Sequence, residues 1–195
     1  MATANMPRKA VLDDDQAISR ALALAFDDDP MMRWFFPEEA TREATLTRYF
    51  STIFTGQYLA NGVCERTEDA AAFWVPAGAR AVPDDETIQR LIGILGDRAG
   101  LFKEAVGTAA EHTPAEAHWS LALIGAAPAA QGTGQGGALL RSGLAQADAA
   151  GLPVYLESSK AANLPVYRHF GFEVREEFAL PGGGPVLWGM WRAAR

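Results

Sequence analysis

The chain of 195 residues has one cysteine, Cys64, and three scattered histidines. A single thiol rules out an internal disulfide framework, and no Cys/His spacing suits a metal, so no metal centre is expected. No family pattern places a His or Asn around Cys64 as a nucleophile's partner, which leaves it as a buried, inert side chain. Clustered Lys and Arg are also missing. The formal charge is −7, with 24 acidic against 17 basic residues, and a nucleic-acid backbone requires a concentration of positive charge that this balance does not supply. No stretch approaches 18 apolar residues, and Met1 to Asp15 contains no apolar leader core, so neither membrane insertion nor export is indicated and a cytoplasmic location is expected. No internal repeat and no shift in composition marks a second domain.

What is present suits one enzyme-sized domain. The chain is 49% hydrophobic and 21% charged, enough to bury a sizeable core. Lys9 to Leu12 reads as a first strand. Ala17, Ala21, Leu24 and Ala25 then recur at helical spacing until Asp29-Pro30. An aromatic knot, Trp34 to Pro37, precedes a helix over about Glu39 to Leu59, and Asn61-Gly62 turns the chain into a hairpin of Val63 to Arg66 and Ala71 to Val75. Asp84 to Val106 reads as helix, with a break at Gly93, Gly96 or Gly100. Trp119 to Ile124 is apolar on both alternating sets, as in a central strand covered on both faces. A helix follows, with Leu140, Leu144 and Ala147 on one face and Gly151 as its C-cap. A strand over Pro153 to Glu157, a short helix over Asn163 to Phe170, and strands near Phe172 to Leu180 and Val186 to Arg192 complete the chain. The expected fold is α/β, a single domain with a mixed central sheet of about six to seven strands flanked by helices.

The densest signal is Gln131-Gly132-Thr133-Gly134-Gln135-Gly136-Gly137 between a strand and a helix. Glycines let several backbone N–H groups converge, and the helix N-terminus adds unpaired donors and a positive dipole end, so a phosphorylated ligand is expected there. Gly132, Gly134 and Gly137 satisfy G-x-G-x-x-G, with Glu157 about 20 residues further on, where a dinucleotide site would place a ribose-binding acid. Two features oppose a dinucleotide. Pro128 and two alanines separate the strand from Gly132, and the unit lies too late in the chain for the rest of a doubly wound sheet.

The segment Ile124 to Gly136 resembles the Q/R-x-x-G-x-G/A signature of the GCN5-related N-acetyltransferase superfamily, with its preceding strand and proline. Asn163-Leu-Pro-Val-Tyr167-Arg-His-Phe170-Gly171-Phe172 resembles that superfamily's later segment, in which an Asn and a Tyr precede a Gly-Phe pair. Ala25-Phe26…Asp29-Pro30, Trp74-Val75-Pro76 and Glu157-Ser158-Ser159…Asn163 look most like the puromycin N-acetyltransferase type. The resemblance implies acetyl-CoA as cosubstrate. Gln131, Gly132, Thr133, Gly134, Gln135, Gly136 and Gly137 would hold its pyrophosphate, the backbone at Ile124, Gly125 and Ala126 its pantetheine arm, and Asn163 would join the same site. It also implies Tyr167 as the acid toward the leaving thiolate.

Glu157, at a strand end facing the cleft, is the first candidate for the base, with His118 and Asp29 behind it. Trp34, Trp74, His118 and Trp119 are the candidate substrate contacts, and Phe26 and Phe35 belong to the same set of aromatic residues that could line an apolar acceptor pocket. The acceptor pocket is expected in about residues 1–113 and the acetyl-CoA site in about 114–195. The expected activity is N-acetylation of a small-molecule primary amine by direct attack in a ternary complex. A non-catalytic acyl-CoA sensor and a protein N-terminal or lysine acetyltransferase remain open, as does a homodimer.

Overall fold

The computed structural model describes residues 6–195. Seven strands form one mixed sheet in the order β1-β2-β3-β4-β5-β7-β6, comprising β1 (Arg8–Lys9), β2 (Val63–Arg66), β3 (Ala70–Val75), β4 (Trp119–Ala126), β5 (Val154–Ser158), β6 (Glu173–Ala179) and β7 (Val186–Arg192). Every pairing is antiparallel except β4 with β5. The helices are α1 (Asp15–Phe26), α2 (Pro30–Phe35), α3 (Glu39–Ile53), α4 (Leu59–Asn61), α5 (Asp85–Leu95), α6 (Ala99–His112), α7 (Gln135–Ala149) and α8 (Leu164–His169).

Strand alternation divides the core in two, one part on each face of the sheet. Ala71 and Phe73 of β3 pack with Ile18, Leu22, Phe50 and Phe54 from the α1 and α3 side. Ala70, Ala72 and Trp74 point the other way, into Leu139, Leu144 and Met190 under α7. Trp74 is fully buried there, and a Cβ at Gly143 of α7 would lie 2.1 Å from its ring. Helix and sheet approach so closely at that point that only glycine fits.

Three expected elements differ in detail. The first strand is only Arg8–Lys9, because Leu12–Asp14 forms a 3-10 turn. Asp14 stabilises that turn by accepting from the Val11 amide and from Arg8 and Arg66. The Trp34 region is helical rather than an irregular knot. Asp29 accepts from the amides of Met31 and Met32 and Pro30 occupies the first turn, a strong N-terminal signal for α2. The long helix from Glu39 passes at Ile53 into a π-helical turn, Phe54–Tyr58. The break after Asp84 falls at Gly96, whose φ is +53°.

Candidate functional site

The parallel β4–β5 pair stops early. Trp119, Ser120 and Leu121 pair with Val154, Tyr155 and Leu156, and the ladder goes no further. On its other edge β4 carries an irregularity against β3, where Phe73 opposes Leu123 and Trp74 opposes Leu121, leaving Ala122 as the extra residue. A bulge bends a strand and increases its twist. Residues 122–126 therefore leave β5, and a cleft of about 780 Å³ opens between them, lined by residues from both faces of the sheet.

One face offers backbone. Gly132 and Gly134 have φ of +75° and +91°, conformations that favour glycine. Gly134 is the N-cap of α7 and supplies no side chain to its first amides, which by helix geometry have no intrahelical acceptor. A Cβ built at Gly132 or Gly136 meets nothing within 4 Å, so the space above the loop is free for a ligand. Gly132, Gly134, Gly136 and Gly137 line the cleft with Gln131, whose Nε2 donates to the Ala126 carbonyl at 3.3 Å. Ile124, Gly125, Ala126 and Asn163 line it as well. Gln135 and Thr133 do not. The Gln135 side chain is buried and accepts from Thr67 Oγ1 at 2.7 Å and the Asp69 amide at 2.9 Å, fastening the β2–β3 turn to α7. Thr133 Oγ1 donates to the Ala130 carbonyl at 2.6 Å.

Tyr167 stands on this face, packed with Leu164 and Phe172 in the α7-side core and bordering the cleft. Its hydroxyl makes no hydrogen bond to another described residue. Burial, aided by the Asp29 carboxylate, pushes it up to about 12, so the phenol keeps its proton at neutral pH.

The opposite face offers side chains. Alternation along β5 sends Val154 and Leu156 to the α7 side, and Tyr155 and Glu157 the other way. Tyr155 Oη donates to Glu157 Oε1 at 3.1 Å, with the His112 carbonyl 3.4 Å from the same oxygen. Gly189 of β7 makes room, since a Cβ there would lie 2.9 Å from the Tyr155 hydroxyl. Burial raises Glu157 to about 7, opposed by the Tyr155 hydrogen bond and by His112. A carboxylate poised there exchanges protons readily at physiological pH. His112 is itself paired with Glu176, Nδ1 to Oε2 at 2.8 Å, and stacks on Phe178.

Two loops clasp across one end of the cleft. Ser159 Oγ donates to Asp29 Oδ2, and Lys160 pairs with Asp28. Asp29 thus serves as cap and clasp, with both oxygens engaged.

The four aromatic or histidine candidates for substrate contact lie outside the cleft. Trp74 is in the core under α7, and Trp119 packs there with Val154 and Leu121. Trp34 covers the β6–β7 loop, where a Cβ at Gly184 would lie 2.8 Å from its ring. His118 turns Nδ1 to the Glu116 carbonyl at 2.6 Å and meets Tyr155 and Trp191 edge-on. Among the aromatics weighed from sequence, Phe26 borders the cleft, beside Met31, Tyr49, Ile53 and Tyr58. Tyr155, Tyr49 and Tyr58 also line the cleft, outside any motif of the sequence. Tyr155 carried a usable signal, two residues before Glu157 on the same strand face.

A family model described as acetyltransferase (GNAT) family matches residues 31–172. An uncharacterized N-acetyltransferase of Schizosaccharomyces pombe is 39% identical over 62 residues, 32% of this chain and 25% of that protein. The match thus spans only a quarter of that relative's length. Among solved structures, a Corynebacterium glutamicum protein described as histone acetyltransferase HPA2 and related acetyltransferase superposes with a TM-score of 0.77 at 24% identity, over 97% of this chain and 96% of that one. Arylalkylamine N-acetyltransferase 2 of Aedes aegypti gives 0.56 at 12% identity, over 97% and 98%. These likenesses speak for the fold. The family match covers the glycine loop, the interrupted β4–β5 ladder and Tyr167, and the chain belongs to the GNAT acetyltransferase family.

Proposed function

We propose that the protein transfers an acetyl group from acetyl-CoA to the primary amine of a small molecule, by direct attack with both substrates bound. The observation that carries this reading is the gap through the sheet, with the glycines at the start of α7 on one face and the buried carboxyl of Glu157 on the other. The residues present fit the cosubstrate. Glycines 132 and 136 leave open space over the α7 amides for a pyrophosphate, and β4 residues 122–126 have β3 on one edge and, among the described residues, no strand on the other, which suits the amides of a pantetheine arm. Acetyl-CoA supplies an activated thioester.

Glu157 takes a proton from the ammonium form of the acceptor, directly or through one water. A free primary amine, with a pKa of roughly 10.4, is largely protonated at pH 7 and cannot attack otherwise. Tyr167 keeps its hydroxyl proton and has no competing acceptor among the described residues, so it can donate to the departing sulfur. No covalent intermediate on the protein is required. Asp29, with both oxygens engaged, and His118, outside the cleft, are weaker bases than Glu157 on geometry. The sequence resemblance places puromycin-type antibiotics among the acceptors to try first.

The test is mass-spectrometric detection of product after incubation with acetyl-CoA and a panel of primary amines that includes puromycin. A gain of one acetyl group on an amine is the expected result; acetyl-CoA binding with no product on any amine or peptide would favour a sensor. Tyr167→Phe is expected to lower kcat roughly 10- to 1000-fold with little change in acetyl-CoA affinity. Unaltered turnover would remove Tyr167 from the reaction.

A further inference from the structure

Away from Tyr155 and Glu157, the acceptor-side wall carries the apolar Phe26, Met31, Ile53 and Leu187, together with Tyr49 and Tyr58. Their placement follows from the π-helical turn. Tyr49 and Ile53 are four residues apart on one face of α3, and continued α-helical spacing would bring Gln57 next to that face. The wider turn over Phe54–Tyr58 brings Tyr58 there instead. Gln57 turns away and donates to the Ala81 carbonyl at 2.9 Å. Tyr49 is 8% exposed, its ring held edge-on by Phe50 and Phe102. Neither phenol makes a hydrogen bond to any described residue, although both line the cleft.

Both hydroxyls open onto the cleft and have no acceptor among the described residues, so each is free to donate to a ligand oxygen there. Burial pushes both phenols up, Tyr58 to about 12, so both present a proton to donate. The acids of the cleft are Asp28, Asp29 and Glu157. Asp28 is taken by Lys160 and Asp29 by Ser159 and the α2 amides, which leaves Glu157 as the one carboxylate for a cation. A second ammonium group would be desolvated with nothing to pair it.

We infer that the acceptor is a primary monoamine whose apolar body carries an oxygen function, the amine directed to Glu157 and the oxygen to the phenols of Tyr49 and Tyr58. This rests on the reading of the cleft as an acetyl-transfer site. It goes beyond that reading by excluding diamines and polyamines and by assigning two specificity-determining hydroxyls.

The experiment compares 2-phenylethylamine, its 4-hydroxy analogue and putrescine as acceptors, by kcat/KM and by calorimetric titration into the CoA-saturated protein. The hydroxylated amine is expected to exceed its parent roughly tenfold in both measurements, the scale of one buried hydrogen bond, with putrescine weakest. In a Tyr49→Phe/Tyr58→Phe double variant, with thermal melting checked for intact folding, that ratio should fall to about one; the single variants serve if the double variant does not fold. Putrescine equal to the aromatic amines, a ratio unchanged by the substitutions, or no binding of either aromatic amine would overturn the inference. The expected binding ratio without turnover would instead overturn the proposed chemistry and leave the specificity assignment standing.

Discussion

The two faces of the β4–β5 gap are built from different materials. On the α7 side the contacts are backbone amides, exposed by glycines and aimed by a helix end. On the α1, α3 and α6 side they are side chains from α1, α3, the π turn, β5 and β7, brought together by long-range packing. Backbone recognition suits a ligand part that never varies, whereas side chains are free to specify a particular acceptor. On the proposed reading, a generic site and a specific one lie on opposite faces of a single sheet.

The sharpest way to break this contrast is on the side-chain face. Glu157→Gln removes the proposed base and should lower kcat on the order of 10²- to 10⁴-fold, while acetyl-CoA affinity persists. The same substitution should raise stability at alkaline pH. Folding lifts Glu157 from its ordinary 4.5 to about 7, so the folded state favours the protonated form. Ionisation then opposes folding progressively as pH rises from 4.5 to 7 and fully above it. The shift corresponds to about 3 kcal/mol, at about 1.4 kcal/mol per unit. Denaturant unfolding at pH 5 and pH 8 checks it, and a variant no more stable than the parent at pH 8 would contradict a buried, poised carboxylate.

On the backbone face, Gly136→Val is the cleaner probe than Gly134→Val. Gly136 has no positive φ, and a Cβ there meets nothing within 4 Å, so the free protein has room for it. The acetyl-CoA KM should rise at least roughly tenfold with kcat nearly constant and melting shifted only slightly. An unchanged KM would show that the open space is not where the cosubstrate's phosphates lie.

The smallest effect expected is at Tyr155. Its hydrogen bond favours the ionised form of Glu157, so Tyr155→Phe should move the acidic limb of the kcat/KM profile from about pH 7 to a higher pH, by about one unit or less. A shift toward lower pH, or none, would mean that Tyr155 does not position Glu157.

The same contrast explains what was legible in the sequence. Glycines at 132, 134 and 136 announce a backbone site because few other roles require them so close together, and the strand and helix around them are local patterns. Glu157 was readable as a strand-end acid. The acceptor wall was not. Trp34 and Trp74 stand beside proline-containing loops, a location that suggests a pocket, but Trp74 falls in the tight contact with Gly143 and Trp34 over the β6–β7 loop. Tyr58 was hidden for another reason. A helical wheel drawn from Glu39 to Leu59 assumes 3.6 residues per turn throughout, and the π turn at Phe54–Tyr58 changes the phase at the position that matters. The Tyr155 pairing needed β5's facing and the close approach of Gly189.

Parallel neighbours in a sheet cannot be joined by a tight turn, and the segment that carries the chain from the end of β4 back to the start of β5 is the glycine loop followed by α7. The cradle is therefore a crossover connection. Its two ends are anchored only when Trp119 meets Val154, a contact of long sequence separation, and its helix seats only when Trp74 lies against Gly143. Acetyl-CoA held there, as proposed, would bind the folded domain and not the unfolded chain, and would stabilise the domain by mass action.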